Sequence, residues 1–132
     1  MTRDEFIARC TAIIGYDPTD RYRYRSRSHK ETPSIKIEWT IGGKTGGSCY
    51  GTEERHYEPR EADPEPDFED LDKILEDVRP EMTYLQYKAL VRTVVQSSTR
   101  NDGDYYGNDY IKAVKEVDLH SLYDYLSEKG WV

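Results

Sequence analysis

The stretch "SIKIEWTI", residues 34–41, decides how this chain folds. Its period is two: Ile35, Ile37, Trp39 and Ile41 fall on one side, Ser34, Lys36, Glu38 and Thr40 on the other. That alternation is the pattern of a strand with one apolar face. A second alternating run precedes it. In "RYRYRSRS", residues 21–28, Arg21, Arg23, Arg25 and Arg27 alternate with Tyr22, Tyr24, Ser26 and Ser28. An arginine row cannot be buried unpaired, so the Tyr/Ser side must join the apolar face. A four-residue loop, Lys30 to Pro33, gives a hairpin with that register, in which Tyr24 faces Trp39 and Arg25 faces Glu38. Glycines 42, 43, 46 and 47 then read as a tight turn into a third short strand at "CYG".

Helical signals flank these strands. Thr2 and Glu5 make a capping box ahead of Phe6, Cys10, Ile13 and Ile14, and Gly15 ends that helix. Asp67 is the expected N-cap of a second helix with Phe68, Leu71, Ile74, Leu75 and Val78 inward and Pro80 as its stop. Thr83 and Gln86 cap a third, with Leu85, Tyr87, Leu90, Val91 and Val94 inward. Its end is blurred by the β-branched run "RTVVQSST". "NDGD" reads as a turn and "YYGNDYIKAVKEV" as a strand interrupted at Gly107. Asp118 caps a last helix carrying Leu119, Leu122, Tyr123 and Leu126. The expected order is α-β-β-β-α-α-β-α: an α+β fold with about four helices packed on a small antiparallel sheet that opens with an N-terminal hairpin.

The 132 residues fit one domain, with an exposed, proline-containing acidic connection at about 53–66. Twelve tyrosines against two Phe and two Trp point to half-buried layers or contact surfaces. No apolar run is long enough to cross a membrane, and the charged "MTRDEFIARC" start is not that of a signal peptide. Two cysteines are too few for a disulfide framework, so the expected compartment is the cytoplasm. The formal net charge is −7, yet residues 1–44 carry nine Lys/Arg against six Asp/Glu. The chain is not a general nucleic-acid binder, although a local basic patch is allowed.

Catalytic motifs fare poorly. "GGKT" matches only the end of a phosphate loop: Glu38 stands where the first glycine belongs, and no helix follows. Cys49, with His56 nearby, could be a nucleophile, but no local signature supplies a positioned base. Cys10, Cys49, His29, His56 and His120 lack the paired spacings of zinc sites. Asp102, Asp104 and Asp109 lack the spaced ligands of a calcium loop. No metal or cofactor is therefore expected. Glu53 to Glu81 holds thirteen acids and four bases; it reads as a solvated linker and helix face, or as a mimic of a nucleic-acid backbone.

Two binding candidates stand out. Arg21, Arg23, Arg25 and Arg27, roughly 6.5–7 Å apart along a strand, could grip phosphates or carboxylates, unless they serve only to keep one hairpin face wet. Tyr105, Tyr106 and Asn108 offer stacking rings and an amide around Gly107, unless they form a packed bulge.

"IEWTIGGKTGGSCYG", "PDFEDLDKILE", "TYLQYKAL" and "YYGNDYIKA" together resemble a loose group of small uncharacterised proteins encoded by bacteriophages and prophages, over about residues 35 to 126. The resemblance carries no assigned catalytic residues. It implies a non-enzymatic accessory protein, in the cytoplasm of an infected bacterium, that binds and inhibits a host defence protein. The residues alone also allow capture of an anionic nucleotide through Arg and Tyr side chains, or an enzyme centred on Cys49. Homo-oligomerisation stays open.

Overall fold

The computed structural model describes residues 1–19, 32–45, 58–103 and 107–132. The elements are α1 (Arg3–Ile14), β1 (Ser34–Thr45), β2 (Glu58–Pro59), α2 (Glu69–Leu75), a 3-10 turn (Arg79–Glu81), α3 (Tyr84–Val94), β3 (Val95–Gly103), β4 (Asp109–Asp118) and α4 (Leu119–Glu128). Among the described residues four helices accompany an antiparallel sheet in the order β2-β1-β4-β3. The α+β class is as expected, but the strand order is not. Among the described residues β1 lies between β2 and β4, both later in the chain. The first strand of the expected hairpin, residues 21–28, and the "CYG" strand lie outside the described residues.

The chain divides into two compact units: 1–36, 68–96 and 116–132 in the first, 37–67 and 97–115 in the second.

The first unit is built on helices whose ends the sequence sets. Thr2 accepts from the Glu5 amide (3.2 Å), and Gly15 takes the left-handed conformation (φ 80°) to close α1. At α3, Thr83 and Gln86 bond each other's backbone amides at 2.8 and 3.2 Å. Asp118 accepts from the His120 amide at 2.8 Å and starts α4. The start of α2 differs: its N-cap is Phe68, not Asp67. Phe68 packs against the core, so burial fixes that end, and the acids Glu69, Asp70 and Asp72 complement the helix dipole. The core comprises Phe6 and Cys10 of α1, Ile35 of β1, Leu71, Ile74 and Leu75 of α2, Leu90 and Val94 of α3, Val117 of β4, and Leu119, Leu122 and Leu126 of α4, with Val78 and Met82. Burial pushes the Cys10 thiol up to about 11, so it stays protonated and inert at neutral pH.

Leu85 departs from expectation. It is 77 % exposed, not inward. It stands five positions before Leu90, which carries it about 140° round the helix from the buried stripe. The blurred end of α3 is also resolved. Val95 is already extended (φ −88°, ψ 120°), and β3 follows without a loop, as the β-branched Thr93, Val94 and Val95 favour. "NDG" belongs to β3, not to a turn, and Asp104 lies outside the described residues; β4 starts at Asp109, with Gly107 (φ 82°) before it.

Two tyrosines tie α2 to its neighbours. Tyr16 donates to Asp70 (2.8 Å) and Tyr87 to Asp72 (2.9 Å). Burial, and then the accepting carboxylate, raise both hydroxyls above their ordinary value near 10. The folded state holds these protons more tightly than the unfolded chain. The contribution is thus fully present below about pH 10 and lost as pH rises through the raised folded values. Urea midpoints should hold up to about pH 9.5 and fall above pH 10; a Tyr16→Phe, Tyr87→Phe protein should show a shallower alkaline fall. An unchanged fall in that protein would assign it to other groups.

In the second unit, the glycines of "GGKT" do not make the expected tight turn: β1 runs through them to Thr45. Gly43 has φ 151°, and a methyl group built on it would overlap the Asp109 carbonyl oxygen of β4. The glycine is there for the close approach of a backbone. Gly43→Ala should cost about 1–3 kcal/mol in chemical denaturation; wild-type stability would show that the strands can part without cost. Burial also shifts across β1. Ile35 is fully buried in the first unit, whereas in the second Ile41 is 41 % exposed and Thr40, on the opposite face, is only 3 % exposed.

Candidate functional site

Residues 59–66 of the acidic connection are exposed, and they are pinned to the edge of β1. The Arg60 amide donates to the Gly43 carbonyl (2.7 Å) and the Asp63 amide to the Thr40 carbonyl (2.6 Å). The Asp63 carboxylate accepts from the Thr40 amide (3.3 Å), and Glu65 pairs with Lys115. This strap fixes where the Arg60 side chain can go.

Arg60 lies over the ring of Tyr110, its guanidinium carbon 4.2 Å from the centroid. Thr40, Arg60, Asp102, Gly103, Tyr110 and Lys112 line a pocket of about 310 Å³. Their positions follow from strand parity: Tyr110 and Lys112 share one face of β4, and Thr40 is the even-numbered position on β1. The electrostatics are uneven. Asp102 is answered by Arg100 (3.7 Å), which also pairs with Glu38 at 2.9 Å. Among the described residues neither Arg60 nor Lys112 has a carboxylate partner within ion-pair distance. Two cations without a carboxylate partner among the described residues therefore face one pocket beside an aromatic ring, in a chain with net charge −7. Stacking on Tyr110 orients the guanidinium in advance, so less side-chain freedom is lost when it grips an anion.

Of the residues expected to bind, Arg21, Arg23, Arg25, Arg27, Tyr105 and Tyr106 lie outside the described residues, as do Cys49 and His56. Asn108 is described, and its backbone carbonyl lies against Gly103, a lining residue. Both β3 and β4 contribute residues to the pocket. Arg100 pairs with Glu38, and Arg25, the partner expected for Glu38, lies outside the described residues. Arg60, Lys112 and Tyr110 were not picked out from the sequence. Arg60 hides in an acidic run, and Tyr110 and Lys112 show their shared face only through the alternation of "DYIKAV".

A second, larger pocket lies in the first unit, about 570 Å³, between α2, the 3-10 turn and α3. No three His, Cys, Asp or Glu side chains converge among the described residues, and no helix there is long and apolar enough to cross a membrane. No protein-family model, curated protein or solved structure matches this chain.

Proposed function

We propose that this chain is a binding protein that acts by capture, without catalysing a reaction, and that its ligand is a small anion bearing an aromatic ring, of which a nucleotide is the fitting class. The observation that carries this reading is the placing of two cations, Arg60 and Lys112, neither with a carboxylate partner among the described residues, beside the Tyr110 ring on one pocket. Phosphate oxygens suit the cations, and a base suits the tyrosine and arginine planes. A volume of about 310 Å³ falls at the small end of ligand pockets, which suits one nucleotide unit. The resemblance to phage-encoded proteins gives the capture a setting: a small accessory protein removing a signal nucleotide in an infected bacterium.

Calorimetric titration with AMP, ATP and inorganic phosphate tests this. A nucleotide should bind at least about tenfold more tightly than phosphate, since base stacking is worth about 1–3 kcal/mol. Binding should weaken between about 50 and 500 mM salt. Equal binding of phosphate and nucleotide, or none of either, would remove the reading.

A second reading, inhibition of a host defence protein by direct contact, is favoured by Tyr84 and Leu85. They are adjacent on α3 and 62 % and 77 % exposed, the two most exposed large apolar residues described.

A further inference from the structure

The larger pocket of the first unit is built differently from the site above. Leu75 and Met82, both buried, line it together with Pro80 and Tyr87, so much of its wall is apolar. Its charged members are Asp72, Glu76 and Arg79. Arg79 lies over the Tyr87 ring at 4.2 Å and donates to the Met82 carbonyl at 3.4 Å. Those contacts hold the guanidinium in place without neutralising it. Among the described residues Arg79 has no carboxylate partner, and Glu76 has no cation partner. Asp72 accepts from the Tyr87 hydroxyl and has acceptor capacity left.

Asp72 stands in the first turn of α2 and Glu76, four positions on, is its C-cap. Like charges at that spacing repel, and the Glu76 carboxylate at the helix C-terminus opposes the dipole. A ligand cation placed between them would relieve both costs. Arg79 on the same pocket calls for a ligand anion. The lining of Leu75, Pro80, Met82 and Tyr87 calls for an apolar body.

We infer that this pocket binds a free α-amino acid with an apolar side chain: its ammonium on Asp72 and Glu76, its carboxylate on Arg79, its side chain against Leu75, Met82 and Tyr87. No residue of the Arg60 pocket takes part, so the two sites stand or fall separately.

The test uses the whole chain and four probes: L-leucine, L-phenylalanine, N-acetyl-L-leucine, which lacks the ammonium, and L-leucinamide, which lacks the carboxylate. Calorimetry should give saturable binding of both amino acids, and each blocked leucine should bind at least about tenfold more weakly, the loss of one charge-assisted contact. Arg79→Ala should weaken leucine binding while leaving leucinamide unchanged. Glu76→Gln should weaken both. The Arg60→Glu, Lys112→Glu protein should bind leucine as wild type does. No saturation by either amino acid up to about 10 mM, or equal affinity for leucine and its two blocked forms, would overturn the inference. The ligand series on the wild-type chain decides the matter even if a variant fails to fold.

Discussion

Leu122→Ala is expected to lower the stability of this protein by about 2–5 kcal/mol, a large part of what a domain of this size has. Leu122 is fully buried on α4, in a core that draws on every helix and on Ile35 and Val117 of the strands. Removing its branched end deletes apolar contacts and leaves a cavity that close-packed neighbours fill only in part. The core is lean. It is made of one or a few side chains per element, so each large one matters more than it would in a bigger protein. The midpoint of urea unfolding should fall with little change in its slope. Loss below about 1 kcal/mol would mean that α4 can shift inward to close the gap.

The second large effect falls on binding. Arg60→Glu with Lys112→Glu should weaken nucleotide capture by more than about a hundredfold, since two charge-assisted contacts are worth roughly 1.5–3 kcal/mol each and reversal adds repulsion. Thermal stability should move little, because neither cation has an ion-pair partner to lose among the described residues. Arg60 does lose its stack on Tyr110, worth about 0.5–1 kcal/mol at an exposed site. Wild-type affinity in the double variant would mean that nucleotide binds elsewhere.

The helices were legible because their signals are local. Thr2, Thr83 and Asp118 bond amides two or three residues away, and Gly15 closes α1 with its own backbone; such contacts need no knowledge of the rest of the fold. The sheet was legible in pattern only. The alternation of "SIKIEWTI" identifies a strand, but its neighbours are chosen by distant segments, and β4 lies more than sixty residues later. The same distance explains the glycines. Gly42 and Gly43 look like a turn because turns and close backbone approaches use one residue type for one reason, freedom from a Cβ. Leu85 was misjudged by composition: it is apolar and near a helix start, but it sits off the stripe. The Arg60 pocket was the least legible. It joins positions 40, 60, 102, 103, 110 and 112, and the arginine that matters stands among acids that sequence reading assigns to solvent.

The proposed function puts an anionic, ring-bearing ligand on Arg60, Lys112 and Tyr110. Amide chemical-shift mapping during titration of the isotope-labelled chain with AMP reads that claim residue by residue. The largest changes should fall on Thr40, Arg60, Asp102, Gly103, Tyr110 and Lys112, saturate together, and vanish in the Arg60→Glu, Lys112→Glu protein. Shifts that saturate on α2 or α3 and leave these six positions unmoved, or no shifts at millimolar AMP, would contradict it.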